Sequence, residues 1–498
     1  MQASEGTVLQ RIDRANSWVL TELPGLNGDI LARRRPPADL GAELTHSVLA
    51  GLPPPQSLTP RQAKQLVVLL GLAGASVSRH YQELDTGHRA APERAFGPCL
   101  VGAGAVPFLA YFEGLAERTR TGHCHRDSYA ALTRWNVPTT EVWWAGERIA
   151  VLAGVFRDQL VRTYTGTADE RRFFELIKVS EAIERAINET LMPVSDTTLD
   201  VRHPEALDRV RLAAVLLGEL RKLNSHFTGL PPHEGLQAHY FMDIFRQYAA
   251  HWTLDDLPPS GAADPEAIAR DYLLGVRTPS YDAHTKRIFP ALLDVERDLL
   301  TRLMERPSVP DTALRSLGLD ELALAESSPA QLRETVGRHP VLAALYLLLV
   351  GHARMSGVHL KIAKKYLFVP QRRREAAGFG DPTVVSNRMG TTGMDEQYLE
   401  DLTRARQRHA LASLHVLGGD ELDSLAGLAA LRASSPGPGG LTRFTGHGAG
   451  GRLGDWLPRP GPSPGRHYTR SGAGHAGLRS VLPEACDDAR IHAGRPCS

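Results

Sequence analysis

Apolar residues recur along this chain at the spacing of a helix and almost nowhere at the spacing of a strand, a pattern that sets the expected fold class as all-α. The stretch GHARMSGVHLKIAKKYLFVP, Gly351 to Pro370, shows it best. Met355, Ile362, Ala363 and Tyr366 stand at i−4, i+3, i+4 and i+7 from His359, which places them with His359 on one helical stripe. Lys361, Lys364 and Lys365 fall on the opposite face, and Pro370 marks the expected stop. An imidazole carried on such a stripe either satisfies itself by hydrogen bonding or binds a metal, and the stripe alone does not choose between the two.

The same reading predicts helices over much of the chain. Val8 to Leu23 is helical up to a Pro/Gly turn at LPGLNGD, and Leu31 to Pro60 is a proline-rich wrapping segment with short helical pieces. Arg61 to Tyr81 and Ala105 to Arg118 are helices, and Ser128 to Trp135 and Thr140 to Gln159 continue the pattern on either side of Pro138. Arg171 to Leu191 carries a stripe of Phe173, Leu176, Ser180, Ile183, Ile187 and Leu191, closed by Pro193. Further helices follow over Pro204 to Leu223, Ala238 to Trp252, Asp264 to Val276, His284 to Glu305 and Pro329 to Arg338, with Val341 to Val350 set apart by Pro340. The expected division is a smaller helical part over residues 1–120, a large helical domain over 121–420, and a Gly/Pro/Arg-rich tail over 434–498. That tail holds too few apolar residues to offset its ordering entropy and is expected to be disordered.

Charge and cysteine usage narrow the function class. The 498 residues balance to a formal net charge of +1, so no global field favours nucleic acid or an anionic membrane. Cys99, Cys124, Cys486 and Cys497 show no ligand-like spacing. The start of the chain is polar, and the apolar run Val341 to Val350 is too short to span a bilayer. A cytoplasmic protein is the expectation.

Three other stretches carry chemistry-bearing residues. In AHYFMDIFRQYAAHW, Phe241, Ile244, Phe245 and Tyr248 make an aromatic face with Arg246 beside it; a guanidinium there either stacks on a ring or takes a carboxylate through paired N–H bonds. In NRMGTTGMDEQYL, the glycines of Gly390 to Gly393 let backbone N–H groups approach a ligand, and Thr391 and Thr392 add hydroxyls. Tyr129, Phe173 and Phe174 either line an apolar pocket or fill core.

Taken in order, these residues resemble the indoleamine/tryptophan 2,3-dioxygenase superfamily of haem proteins. VHLKIAKKYLFVP is similar to its proximal-helix signature, FMDIFRQY to its Phe-x4-Arg-x-Tyr helix, and GTTGMDEQYL to the Gly-Thr-Gly-Gly loop that closes over substrate. Phe156 to Asp158 and the Phe173–Phe174 pair fall where that family's distal pocket begins. The resemblance implies an indoleamine-dioxygenase-like helical fold whose 121–420 domain binds haem b. It makes His359 the axial iron ligand, with Gly390, Thr392 and Gly393 around the cofactor. Arg246 becomes the clamp on the substrate carboxylate, with Phe241 and Phe173 holding its ring, Thr391 near its ammonium and Tyr129 on the distal side. An indole amino acid and O2 are then the small-molecule partners, and tryptophan ring opening is the expected reaction. Two features depart from the family: the loop reads GTTG, and Ser180 is offset from the distal serine. LPGLN at Leu23 to Asn27, Trp135-Asn136, Tyr164 to Gly166 and His359 to Lys361 also resemble the pyrrolnitrin-biosynthesis branch, which keeps fold and haem and rearranges a tryptophan derivative instead. Related biosynthetic members form oxindoles, and a non-catalytic haem carrier is the remaining alternative.

Overall fold

A computed structural model describes residues 5–121, 126–231 and 233–445 of the protein. Those residues are mostly helical, which bears out the all-α expectation at the level of class. Seven helices position everything that follows: α1 (Glu5–Leu31), α2 (Pro60–Leu84), α3 (Ala168–Ser195), α4 (Pro204–Gly229), α5 (Pro265–Leu273), α6 (Pro340–Ala363) and α7 (Glu396–Gln407).

Two hydrophobic cores hold them together. The first is built by α1 and α2 with Phe96, Phe108 and Phe112, and later chain enters it through Tyr164, Phe174, Tyr248 and Trp252. The second lies among α3, α4, α5 and α6. The start of α2 is set by a reciprocal cap. Thr59 Oγ1 accepts from the Gln62 amide at 3.3 Å, and Gln62 Oε1 accepts from the Thr59 amide at 2.8 Å. Further along α2, Gly74 lets the Trp252 ring lie against bare backbone: a Cβ there would stand 2.6 Å from ring carbons. Gly74→Ala is therefore expected to destabilise the fold by about 1–3 kcal/mol, read from urea unfolding, because a fully buried indole has nowhere to move.

Several boundaries differ from those the sequence predicts. α1 does not break at LPGLNGD but runs through Pro24 to Leu31. Leu23, Leu26 and Ile30 are buried, and Asn27 ties the segment down. Its Nδ2 donates to Ser76 Oγ at 3.0 Å and to the Tyr164 carbonyl at 2.8 Å, and its Oδ1 lies 2.9 Å from His80 Nε2. Tertiary contacts there outweigh the helix-breaking residues. The His80 ring is held neutral, its pKa pushed down to about 3 by burial and by the Arg79 charge. A depressed histidine contributes its stability fully above the unfolded value of 6.5 and loses it as pH falls toward 3. The stability gap between wild type and His80→Gln should thus be flat above pH 6.5 and move against wild type below it, in urea titrations across that range.

α3 likewise passes Pro193 and ends at Ser195. α6 begins at Pro340 and joins the two predicted stretches Val341–Val350 and Gly351–Pro370 into one helix. Beyond Ala363 it continues through a π-helical turn, Lys364–Phe368, into a further helix, Val369–Ala376. Pro370 sits in the first turn of that last piece, where a missing N–H costs little, so it does not stop the helix. The whole span Pro340–Ala376 is long and apolar enough to cross a membrane, and 56% of its most apolar window is buried inside the protein, as in a core helix. The lysine face is not simply solvated. Lys365 Nζ donates to the carbonyls of Thr228 (2.6 Å) and Leu230 (3.3 Å) at the end of α4, and Lys364 pairs with Glu400 at 2.6 Å.

The clearest miss is Thr140 to Gln159, which contains no helix. After a short ladder of β1 (Leu100–Val101) and β2 (Val106–Pro107), β3 (Thr139–Trp144) and β4 (Glu147–Leu152) form an antiparallel hairpin. Its register runs from Thr140 opposite Leu152 to Trp144 opposite Glu147, with an irregularity between Val142 and Trp143. Ala145 and Gly146 both have positive φ, 49° and 88°, the conformation of a two-residue hairpin turn that matches strand twist. Alanine in the first of those positions hides the signal. The third strand, β5 (Thr442–Thr445), pairs with β3 and follows a helical turn, Pro438–Leu441, whose Leu441 is fully buried. Residues 434–445 thus belong to the folded part, contrary to a tail starting at 434. The remainder of the predicted tail, with Cys486 and Cys497, lies outside the described residues, as does Cys124. Cys99 is buried and unpaired, its thiol pushed up to about 11 by burial.

Candidate functional site

Where the two cores meet, the protein encloses a cavity of about 230 Å³ that continues into a second lobe of about 210 Å³. Together they are of the size that small-molecule and cofactor sites occupy. Tyr164, Phe174 and Tyr248 reach the first lobe from one core, and Tyr129, Leu236 and Tyr366 from the other. Three π-helical turns border it: Ala130–Trp135, Phe241–Phe245 and Lys364–Phe368, each contributing side chains to the wall. A π turn widens the helix and costs regular hydrogen bonding, so three around one space mark a place the backbone is bent to serve.

Eight of the nine residues singled out from sequence stand in this wall: Tyr129, Phe173, Phe241, Arg246, His359, Gly390, Thr391 and Thr392. Gly393 does not. Its φ is 81°, and its face turns toward the Arg287 guanidinium, so it shapes the loop and does not touch the cavity. Phe156 and Asp158 are also away from the cavity. Asp158 pairs with Arg162, whose guanidinium lies over the Phe156 ring, and the trio pins a surface turn.

His359 projects from α6 into the boundary between the lobes and borders both. Its surface is accessible although the ring lies deep in the protein, because the space it faces is the cavity itself. It makes no hydrogen bond among the described residues. Burial first, then the Arg406 and Arg270 charges, depress its pKa to about 4, so at neutral pH both lone-pair chemistry and ring are those of a neutral imidazole. The stripe read from the sequence is real: Met355 and Tyr366 are buried, with Ile362 and Ala363 half-buried beside them.

Arg246 follows directly on the π turn that carries Phe241 and Phe245. It is only 8% exposed, and no carboxylate pairs with it among the described residues. One terminal nitrogen donates to the carbonyls of Ser386 (2.8 Å) and Met389, while its Nε has no partner. Burial lowers its pKa to about 10 despite the nearby Asp381, which still leaves it charged at neutral pH. A buried cation with an unused N–H is expensive unless an anion completes it. Next to it stand Phe173 and Phe241, ring centroids 5.4 Å apart at 65°, and Phe245, 5.3 Å from Phe173 at 76°: an edge-to-face box.

The loop over the cavity, segment 377–395, is held by side chains. Gln247 exchanges bonds with Val385, 2.8 and 3.2 Å, and Asp381 accepts from Ser386 Oγ at 2.9 Å and the Asn387 amide at 2.7 Å. Gly390 and Met394 close the GTTG turn through a 2.7 Å bond, leaving Thr391 half-buried and the Thr392 hydroxyl buried without a partner. In the second lobe Asp271 ties its own helix to three others. It accepts from Arg406 (2.9 and 2.6 Å) and Tyr281 (2.6 Å) and lies 2.8 Å from His352 Nε2. Chiefly through Arg406, it is held well below the usual carboxylate range against the opposing effect of burial.

Sequence reasoning missed Ile177 and the turn Ser260-Gly261-Ala262, all in the wall. Ile177 lies one turn beyond Phe173 on α3, and the spacing would have found it. Ser180 opens on the second lobe instead, where its hydroxyl accepts from Asn224 Nδ2 at 3.2 Å. The Ser260 turn has no periodicity to betray it. The chain matches no protein-family model and no curated protein sequence.

Proposed function

We propose that this chain is a haem-dependent oxygenase acting on tryptophan or a related indole. The observation that carries this reading is that one cavity is lined by a neutral imidazole and a buried guanidinium that, among the described residues, have no hydrogen-bond partner and no ion-pair partner respectively, with aromatic rings beside them.

The donor set suits haem better than a bare ion. Among the described residues no group of three or more His, Cys, Asp or Glu side chains is placed to hold a metal. A lone imidazole matches a metal that brings its other ligands with it, as iron does in a porphyrin. His359 would hold the iron, and the aromatic and aliphatic wall of the first lobe suits the flat ring. Bound haem would supply the oxygen chemistry, with indole C2–C3 cleavage to an N-formylkynurenine-type product as the expected outcome.

The rest falls to the chain's own groups. Arg246 holds a ligand carboxylate through its unused N–H bonds. Phe173, Phe241 and Phe245 grip an aromatic ring edge-on and exclude water, and with Arg246 holding the carboxylate they fix how that ring is presented in the cavity. The Thr391 and Thr392 hydroxyls stand beside the ligand as neutral hydrogen-bond partners for its ammonium. Turnover of tryptophan by the haem-loaded protein under labelled O2 tests the reading. Two label atoms in a ring-opened product support it. One label atom or none in the product moves the chain to a monooxygenase or rearrangement, and unchanged tryptophan leaves only haem binding.

A further inference from the structure

Behind Tyr129, where the two lobes join, the protein buries two carboxyl groups against each other. Asp264 caps α5: its Oδ1 accepts the amides of Glu266 at 2.9 Å and Ala267 at 3.2 Å. Its Oδ2 receives the Tyr129 hydroxyl at 3.2 Å. Glu184, on α3, takes the Arg270 guanidinium on Oε1 at 2.6 Å. Its Oε2 is buried in the second lobe's wall and has no donor in the structure unless Asp264 itself carries one.

Among the described residues the nearest cations, Arg134 and Arg270, are already paired. Arg134 is engaged by Glu181 and Glu296, with Glu266 at 4.0 Å, and Arg270 by Glu184. Asp264, with Glu184 and Glu181 facing it from α3, has only backbone amides and a phenol. Two carboxylates side by side in a low-dielectric interior cannot both be ionised. Burial, then Glu184 and Glu181, push Asp264 well above the usual carboxylate range, and burial with the same acids keeps the Tyr129 phenol protonated.

We propose that Asp264 and Glu184 hold one proton between them and that the Tyr129 hydroxyl connects this proton to the ligand in the cavity. At rest Tyr129 Oη–H donates to Asp264 Oδ2, and the adjoining carboxyl pair of Asp264 and Glu184 carries the shared proton. For a transfer the Tyr129 hydroxyl turns from Asp264 Oδ2 toward a basic oxygen of the ligand, its O–H bond breaks, and the Asp264 carboxyl, rotated to donate to Tyr129 Oη, gives its proton to the phenolate oxygen. The carboxyl pair is left with one more negative charge, facing Arg270. No oxidation state changes, and water re-protonates the pair through the cavity. Asp264 and Glu184 are positioning residues for Tyr129, whatever the cavity takes.

The test needs no ligand, so it is independent of the tryptophan reading. Infrared difference spectra of the full chain at pH 7 should show a carboxylic-acid C=O band in wild type that is missing in Asp264→Asn, whose amide oxygen still caps α5. On transfer to D2O this band should shift quickly in wild type and at least tenfold more slowly in Tyr129→Phe, which keeps the ring and removes the link. Identical carboxylic-acid absorption in wild type and Asp264→Asn overturns the shared proton. Exchange in Tyr129→Phe as fast as in wild type overturns the connection to the cavity.

Discussion

Arg246→Ala is expected to bind tryptophan about 10- to 100-fold more weakly than wild type, the equivalent of about 1.5–3 kcal/mol for a charge-assisted, bidentate contact. The size follows from the surroundings. The guanidinium is 8% exposed, sits in an aromatic wall and forms no ion pair among the described residues, with Asp381 only nearby, so a ligand carboxylate is its natural partner. The fold should tolerate the change, because what is removed is an uncompensated buried charge. The loop loses its bonds to the Ser386 and Met389 carbonyls, but Gln247 and Asp381 still hold it. Isothermal titration with tryptophan, alongside a melting curve, reads both effects. Unchanged affinity in a folded variant would remove Arg246 from the ligand site.

His359→Ala should cost more. Losing an outer-shell partner of a metal ligand typically costs about 10–100-fold in affinity, and losing the proposed iron ligand itself should exceed that. The His359 ring makes no hydrogen bond among the described residues and faces open space, so its removal should leave the melting temperature nearly unchanged. The expected result is a folded protein that retains haem poorly and regains a histidine-like spectrum when free imidazole is added to fill the gap. A variant as strongly and normally coloured as wild type would show that iron is not held there.

The parts of this site that were legible in the sequence are those carried by helical spacing. His359 with Met355, Ile362, Ala363 and Tyr366, and Arg246 beside Phe241 and Phe245, follow from periodicity of three and four, and they reach the cavity because rigid helices aim them there. Boundaries were less legible. Pro24, Pro193 and Pro370 all sit inside or at the first turn of helices that packing or a π turn sustains. The hairpin Thr139–Leu152 was hidden by an alanine in a left-handed turn, and β5 by a glycine-rich context that reads as tail. The buried acids around Tyr129 were invisible for a different reason. Glu181, Glu184, Asp264 and Glu266 come from two helices far apart in sequence, and only their burial against Arg134 and Arg270 makes them unusual.

The central claim is that the cavity holds haem through His359. Titrating haem into the purified full-length protein while following the absorption spectrum, and then adding tryptophan to the reduced form, tests it most directly. The expected result is a sharp Soret band that saturates at one haem per chain and shifts when tryptophan enters beside Arg246. A spectrum that stays that of free haem at every ratio would contradict it.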